Sequence, residues 1–239
     1  MMREFSADLH LHTCLSPCAD PEMIPRMIVR QAKQVGLDII AICDHNSMDN
    51  VDAVTRAGES EGLCVIPGME ITSREEVHIL GLFRTEASLR EMQRIVYDSL
   101  PGENDEEAFG PQTIVDEYDR VIGSNTKLLI GATTLAVEEV VQAVHRLQGL
   151  AIASHVDREG FSIIGQLGFI PPALGLDALE VSRPQAAEAW KDYPVITCSD
   201  AHFLSDIGRA TTTFTLEEAT IDEIELALLD KDGRKVTVH

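Results

Sequence analysis

The stretch Asp8-Leu9-His10-Leu11-His12 sets two histidines in alternation with two leucines. A period of two is the signature of a strand, so His10 and His12 point to one face. At the usual rise their Cα atoms lie about 6.6 Å apart. Such a face is wet, or packed with two tolerated imidazoles, or built to hold something. The rest of the chain decides between these.

Outward from this strand, short apolar segments alternate with helical patterns. Residues 5–12 read as a strand, 21–35 as a helix opened by Pro21 and closed by Gly36. Residues 38–45 (DIIAICDH) follow as a buried strand, and Asn46 or Ser47 can cap a helix that stops at Gly62. Residues 64–72 and 77–83 are strands; a helix over 137–147 precedes further strands at 150–156, 178–182 and 194–201. TTTFTL and a helix over 223–229 finish the pattern. Residues 84–126 break it, with an amphipathic stretch, the polar run PGENDEEAFGPQ and a possible hairpin over 113–122. We read 84–126 as an insertion or lid near one rim of a single domain spanning 1–239. Strand–helix alternation without an internal repeat indicates an α/β fold with a mainly parallel sheet. Seven or more strands favour a closed or distorted barrel over an open sheet.

The 239 residues carry a formal charge of −21 and no apolar run of the roughly 18 residues that span a membrane. The N-terminus has no signal-peptide pattern. A cytoplasmic protein with no membrane partner is expected. The acidity argues against an extended nucleic-acid groove, which needs clustered Lys and Arg. It leaves room for a local phosphate site, and any divalent ions bound by the carboxylates would offset part of the charge. Five cysteines in no regular framework predict free thiols; Cys14 and Cys18, spaced C-x3-C, are only a weak zinc signal.

Position carries the information. His12 and His45 end the first two strands, Glu70 lies near the end of the third, and His78 sits on the fourth. His155 ends the strand after the irregular segment, and Asp200 with His202 ends a later one. In parallel barrels the C-terminal ends of the strands converge on one rim, where the chemistry lies. Six of the eight histidines and two carboxylates thus map to one rim. Each as a core residue would need its own hydrogen-bond partner, whereas together they are what divalent transition metals require. His10 and His12 therefore face inward to share a metal. His145, in the middle of a helix, and His239, the last residue, are read as non-ligands.

DLHLHT, CDHNS, PGMEIT, VHILG, ASHVDR and CSDAH resemble, in order, the motifs of the PHP (polymerase and histidinol phosphatase) superfamily. The resemblance runs over about residues 7–209, with no motif in 84–126. It implies a distorted (β/α)7 TIM-like barrel holding two to three divalent ions (Zn, Mn or Fe) in its mouth. Carried over by position, His10, His12, Glu70 and Asp200 would hold the first ion, and Glu70 would bridge to a second on His78 and His155. The third would take His45, His202 and an acidic residue from the loop after the first motif. Here that loop reads TCLSPCAD, longer than the family's S-D-G-like turn, and Asp20 is the best match. Glu70, Asp20 and His202 are the expected catalytic positions. Asp44 alternates to the other face of its strand, where it suits orienting an imidazole or capping a helix.

Neighbouring divalent ions suit the hydrolysis of phosphate esters by a metal-bound hydroxide. No G-x-S-x-G elbow, P-loop or G-x-G-x-x-G competes. Arg158, Arg183 and Arg209 follow strand ends and offer planar forks for phosphate. The expected function is a metal-dependent phosphoesterase of a small phosphorylated metabolite or nucleotide. The alternatives are a nuclease (3'-5' exonuclease) on DNA or short oligonucleotides, or a metal-binding module without turnover. The sequence leaves the oligomeric state open.

Overall fold

A computed structural model describes residues 1–238. In chain order it contains β1 (Arg3–Leu11), α1 (Pro25–Gln34), β2 (Ile39–Ile42), α2 (Val51–Glu61), β3 (Cys64–Thr72) and β4 (His78–Leu82). Next come α3 (Glu86–Ser99), α4 (Glu106–Phe109), β5 (Thr113–Val115), β6 (Val121–Ser124), α5 (Val137–Arg146) and β7 (Leu150–Ala153). The chain ends with α6 (Ile163–Leu167), β8 (Ala178–Val181), β9 (Val195–Thr197), β10 (Thr212–Leu216), α7 (Ile221–Leu228) and β11 (Lys235–Val238).

Two helix starts differ from expectation for local reasons. α1 begins at Pro25, whose missing N–H costs nothing in a first turn. Pro21 instead lies in a turn closed by the Met23 N–H on the Asp20 carbonyl. α2 starts after Asn50, because the Asn46 side chain is engaged elsewhere, donating to the carbonyls of Leu129 and Gly131. Gly62 ends α2 in the left-handed conformation that glycine favours.

The main sheet runs β11-β10-β1-β2-β3-β4-β7-β8-β9. Strands β1, β2 and β3 are mutually parallel, as are β7, β8 and β9. Strand β4 is antiparallel to both β3 and β7. Just past β9, Ala201 forms a parallel bridge with Leu11 at the end of β1, so the seven strands curl into a nearly closed barrel. β10 and β11 extend the sheet outside it, antiparallel to β1 and to each other. The fold is a distorted TIM-like barrel.

Alternate residues of each strand point inward. On β3, Ile66 packs in an inner apolar cluster and Glu70 shares its parity; on β4, Leu80 and Leu82 share parity with His78. Ala178 precedes Glu180 on β8, and Ile196 and Cys198 lead up to Asp200. The barrel floor is therefore apolar and its mouth polar.

β1 needs a device to join this scheme. Ala7 and Asp8 pair with Ile39 and Ile40, but Leu11 pairs with Ile42, so Leu9 and His10 together stand against Ala41. This bulge flips the parity. Leu9 joins the inner cluster while Leu11 packs outside with α1 and α2, and both histidines turn into the mouth.

Residues 84–126 form α3, α4 and the separate hairpin β5–β6. They are bonded onto the loops after β1 and β2: Thr113 N–H donates to Cys14 O, and Val115 N–H to the Asn50 side chain. All five cysteines are free thiols. No helix among the described residues is long and apolar enough to cross a membrane.

Candidate metal centre

Glu70 sits at the centre of the mouth, fully buried. Its Oε1 lies 2.9 Å from His78 Nδ1 and 3.4 Å from both His10 Nε2 and His155 Nε2. Its Oε2 lies 3.0 Å from His45 Nδ1 and 3.4 Å from His12 Nε2. Asp200 Oδ1 faces His10 and His12 Nε2 at 3.3 and 3.2 Å. Three groups of donors gather their ligand atoms within 4.8 Å of one another. They are His10/His12/Glu70/Asp200, His45/Glu70/His78 and His12/His45/His202.

The backbone is bent to achieve this. His155 and Asp200 have positive φ (31° and 51°), a conformation that L side chains avoid. Both follow a strand end, where the turn aims the side chain across the mouth. His78 reaches the same rim from the start of its strand, because β4 runs against its neighbours. His10 and His12 are fixed from behind. His10 Nδ1 donates to Glu180 at 2.9 Å. His12 Nδ1 meets Ser16 Oγ at 2.9 Å, and that hydroxyl donates to Asp44 at 2.7 Å. Asp44 also accepts from the N–H and hydroxyl of Thr13. These contacts set the tautomer that leaves each Nε2 lone pair facing the cluster.

Several of these atoms lack conventional partners. His45 Nδ1, His78 Nδ1, His155 Nδ1, Glu70 Oε1 and Asp200 Oδ1 are buried with no hydrogen bond. The Glu70–His45 and Glu70–His78 approaches have hydrogen-bond distances but not hydrogen-bond angles. An orphaned buried polar atom costs about 1–3 kcal/mol, so five in one pocket call for a shared partner. A divalent cation is the partner that this imidazole and carboxylate set fits.

Charge tells the same story. Burial opposes ionisation of His10, but Glu180, Glu70 and Asp200 outweigh it and raise its pKa well above the ordinary value. His12 and His45, similarly desolvated, are pushed up to about 9 by the same carboxylates. Glu70 is buried too, yet His78, His10 and His45 hold it well below the carboxylate range. At the outer edge, burial and the neighbouring His12 lower His202 to about 3. The buried carboxylates demand positive charge, which protons or metal ions can supply.

Among the other positions singled out from the sequence, Asp20 is not brought into any donor group: its Oδ1 accepts from the Glu22 N–H at 2.8 Å. Arg158 does reach the mouth, donating from Nε to Ser182 Oγ at 2.7 Å and from its other arm to Asp200. It lines a cavity of about 340 Å3 over Glu70 and an adjoining one of about 620 Å3. Arg209 lines only the second, paired with Asp206, and Arg183 lines neither, lying 3.5 Å from Asp157. His145 is bonded to Asp177 on α5, away from the mouth. His239 lies outside the described residues. Glu180 and Ser16 escaped sequence reading. The signal for Glu180 was a lone charge inside the apolar strand ALEV, with the parity of the barrel interior.

A seven-stranded barrel with this cluster in its mouth defines a class of metal-binding hydrolase scaffold. The PHP domain family model matches residues 8–162 and a PHP-associated model residues 185–230. The chain belongs to the PHP domain family, which places it among metal-dependent hydrolases of phosphoester bonds. A 5'-3' exoribonuclease of Haemophilus influenzae is 22% identical over 188 residues, covering 62% of this chain and 68% of that protein. Endonuclease Q of Pyrococcus furiosus superposes with a TM-score of 0.73 at 20% identity, over 98% of this chain but 58% of its own. It has also been solved with a 27-mer duplex carrying an abasic lesion at the active site. A structure provisionally described as a metal-dependent phosphoesterase of Bifidobacterium adolescentis gives 0.53 at 25% identity, over 82% and 87% of the two chains.

The endonuclease Q complex overturns the expectation of a small phosphorylated substrate and no nucleic-acid groove. That expectation rested on the net charge of −21, which is a property of the whole surface. A strand is met locally, and acidic groups that bind cations present a positive face to phosphate.

Proposed function

We propose that this protein is a metal-dependent nuclease, hydrolysing phosphodiester bonds of a nucleic-acid strand led into the barrel mouth. In this reading His10, His12, Glu70 and Asp200 hold one ion, and Glu70 is shared with a second on His45, His78 and His155. His12, His45 and His202 face a third. The donor set fits Zn, Mn or Fe. Such ions polarise phosphoryl oxygens, make a water nucleophilic near neutral pH and stabilise the leaving oxygen.

The observation that carries the strand reading is the wall of the mouth. Phe161 stacks on His78 with ring centroids 4.8 Å apart and an interplanar angle of 18°, yet keeps 47% of its surface exposed. Phe203, beside His202, is 50% exposed and lines the adjoining cavity. Arg158 lies between the two cavities. Exposed rings beside a guanidinium suit successive bases and the phosphate that links them. A phosphomonoesterase for a small metabolite has no use for two open aromatic platforms.

The test is a panel of end-labelled single-stranded RNA, single-stranded DNA and duplex DNA with an abasic site, each with Mn and with Zn. Metal-dependent shortening or nicking of at least one strand is expected. No cleavage of any strand, alongside turnover of a phosphomonoester panel, would overturn the nuclease reading.

A further inference from the structure

We propose that the Cys18 thiolate completes a metal site with His12, His45 and His202, in the place where the family resemblance expects Asp20. The inference rests on the metal reading above and names a ligand which that reading leaves open.

Three imidazoles alone make an incomplete site. Tetrahedral coordination wants a fourth donor, and an anionic one offsets the ion's charge. No carboxylate belongs to the His12/His45/His202 group. His45 is almost wholly buried, and its Nδ1 has no hydrogen bond. The group thus points to an ion and lacks an anion.

The loop after β1 decides what can supply it. Asp20 N–H donates to His202 O at 2.8 Å, and Ala19 N–H to Ser16 O at 2.9 Å, so the loop is folded back onto the mouth. This fold spends the Asp20 carboxylate on Glu22 N–H. Cys18 is left at the tip, lining both cavities with His202 and the inner one with His45. Its thiol stands within hydrogen-bonding reach of the His45 ring. Cys14 is not its partner in a paired-cysteine site, since its thiol is buried against Thr113 O and Asn50. On binding, the S–H bond is replaced by a sulfur–metal bond and the proton leaves to solvent. A soft thiolate biases this site toward zinc and away from manganese.

The test is cobalt substitution of the metal-stripped full chain. Wild type is expected to bind cobalt with visible bands and a near-ultraviolet thiolate-to-cobalt charge-transfer band. Cys18→Ser should lose that band and about one cobalt equivalent per chain while keeping the cobalt on the carboxylate-linked sites. Cys18→Asp should restore the equivalent without the band. Circular dichroism checks the folding of both variants. Cobalt binding with no charge-transfer band, or a band unchanged in Cys18→Ser, would overturn the thiolate and leave the metal centre standing. No cobalt bound at all would overturn both.

Discussion

Glu70 is the residue on which the centre turns, because its two oxygens face five different imidazoles. Glu70→Gln keeps the shape and removes the charge, so bound metal should fall further than for any single histidine replacement. Elemental analysis of the variant beside His78→Ala and His155→Ala checks this. Glu180 acts one step back, through His10. Glu180→Gln can still accept from His10 Nδ1 but no longer makes the imidazole more basic. Outer partners of this kind are worth about 10–100-fold in metal affinity, and chelator competition should show a loss in that range with folding intact.

At the level of elements, two irregularities place the site. The bulge in β1 turns both histidines into the mouth, and antiparallel β4 brings its first residue, His78, to a rim otherwise formed by strand ends. Between them, β3 must lie close to β2. A Cβ on Gly68 would come within 2.7 Å of Cys43 Sγ and 2.9 Å of Ile42 O. Gly68→Ala would push β3 away two residues before Glu70. Overpacking of this type costs about 1–3 kcal/mol, and we expect a lowered Tm together with weaker metal binding, read by thermal unfolding with and without added zinc.

Over the whole molecule, the metal centre joins strands from every part of the barrel, so ions and stability are linked. Stripping with a chelator should lower Tm, and restoring Zn or Mn should raise it again; a Tm indifferent to metal would contradict the centre. The surface predicts a short engagement with nucleic acid. With a charge of −21 and few cations at the mouth, few phosphates are neutralised. The log–log salt dependence of strand binding should therefore be shallow, at about −0.7 per phosphate contacted. Phe161→Ala should weaken binding by about 1–3 kcal/mol through lost stacking with little change in that slope. Fluorescence anisotropy of a labelled oligonucleotide at several salt concentrations separates the two effects.

The α/β alternation and the histidines and carboxylates at strand ends were legible in the sequence, since periodicity and punctuation are local properties of the chain. Strand spacing alone assigns His10, His12, His45, Glu70, His78, His155, Asp200 and His202 to one end of the fold. What depends on contacts between distant segments was not legible. The β1 bulge exists only against β2, and Leu9 and Leu11 part company because of it. The support of His10 by Glu180 joins residues 170 positions apart. The loop after β1 is folded by a bond to His202, and that bond, not the spacing of Asp20 from the first motif, decides which side chain faces the mouth. The substrate was misjudged for the same reason: net charge sums over the whole surface, whereas recognition depends on the few groups that tertiary structure gathers in one place.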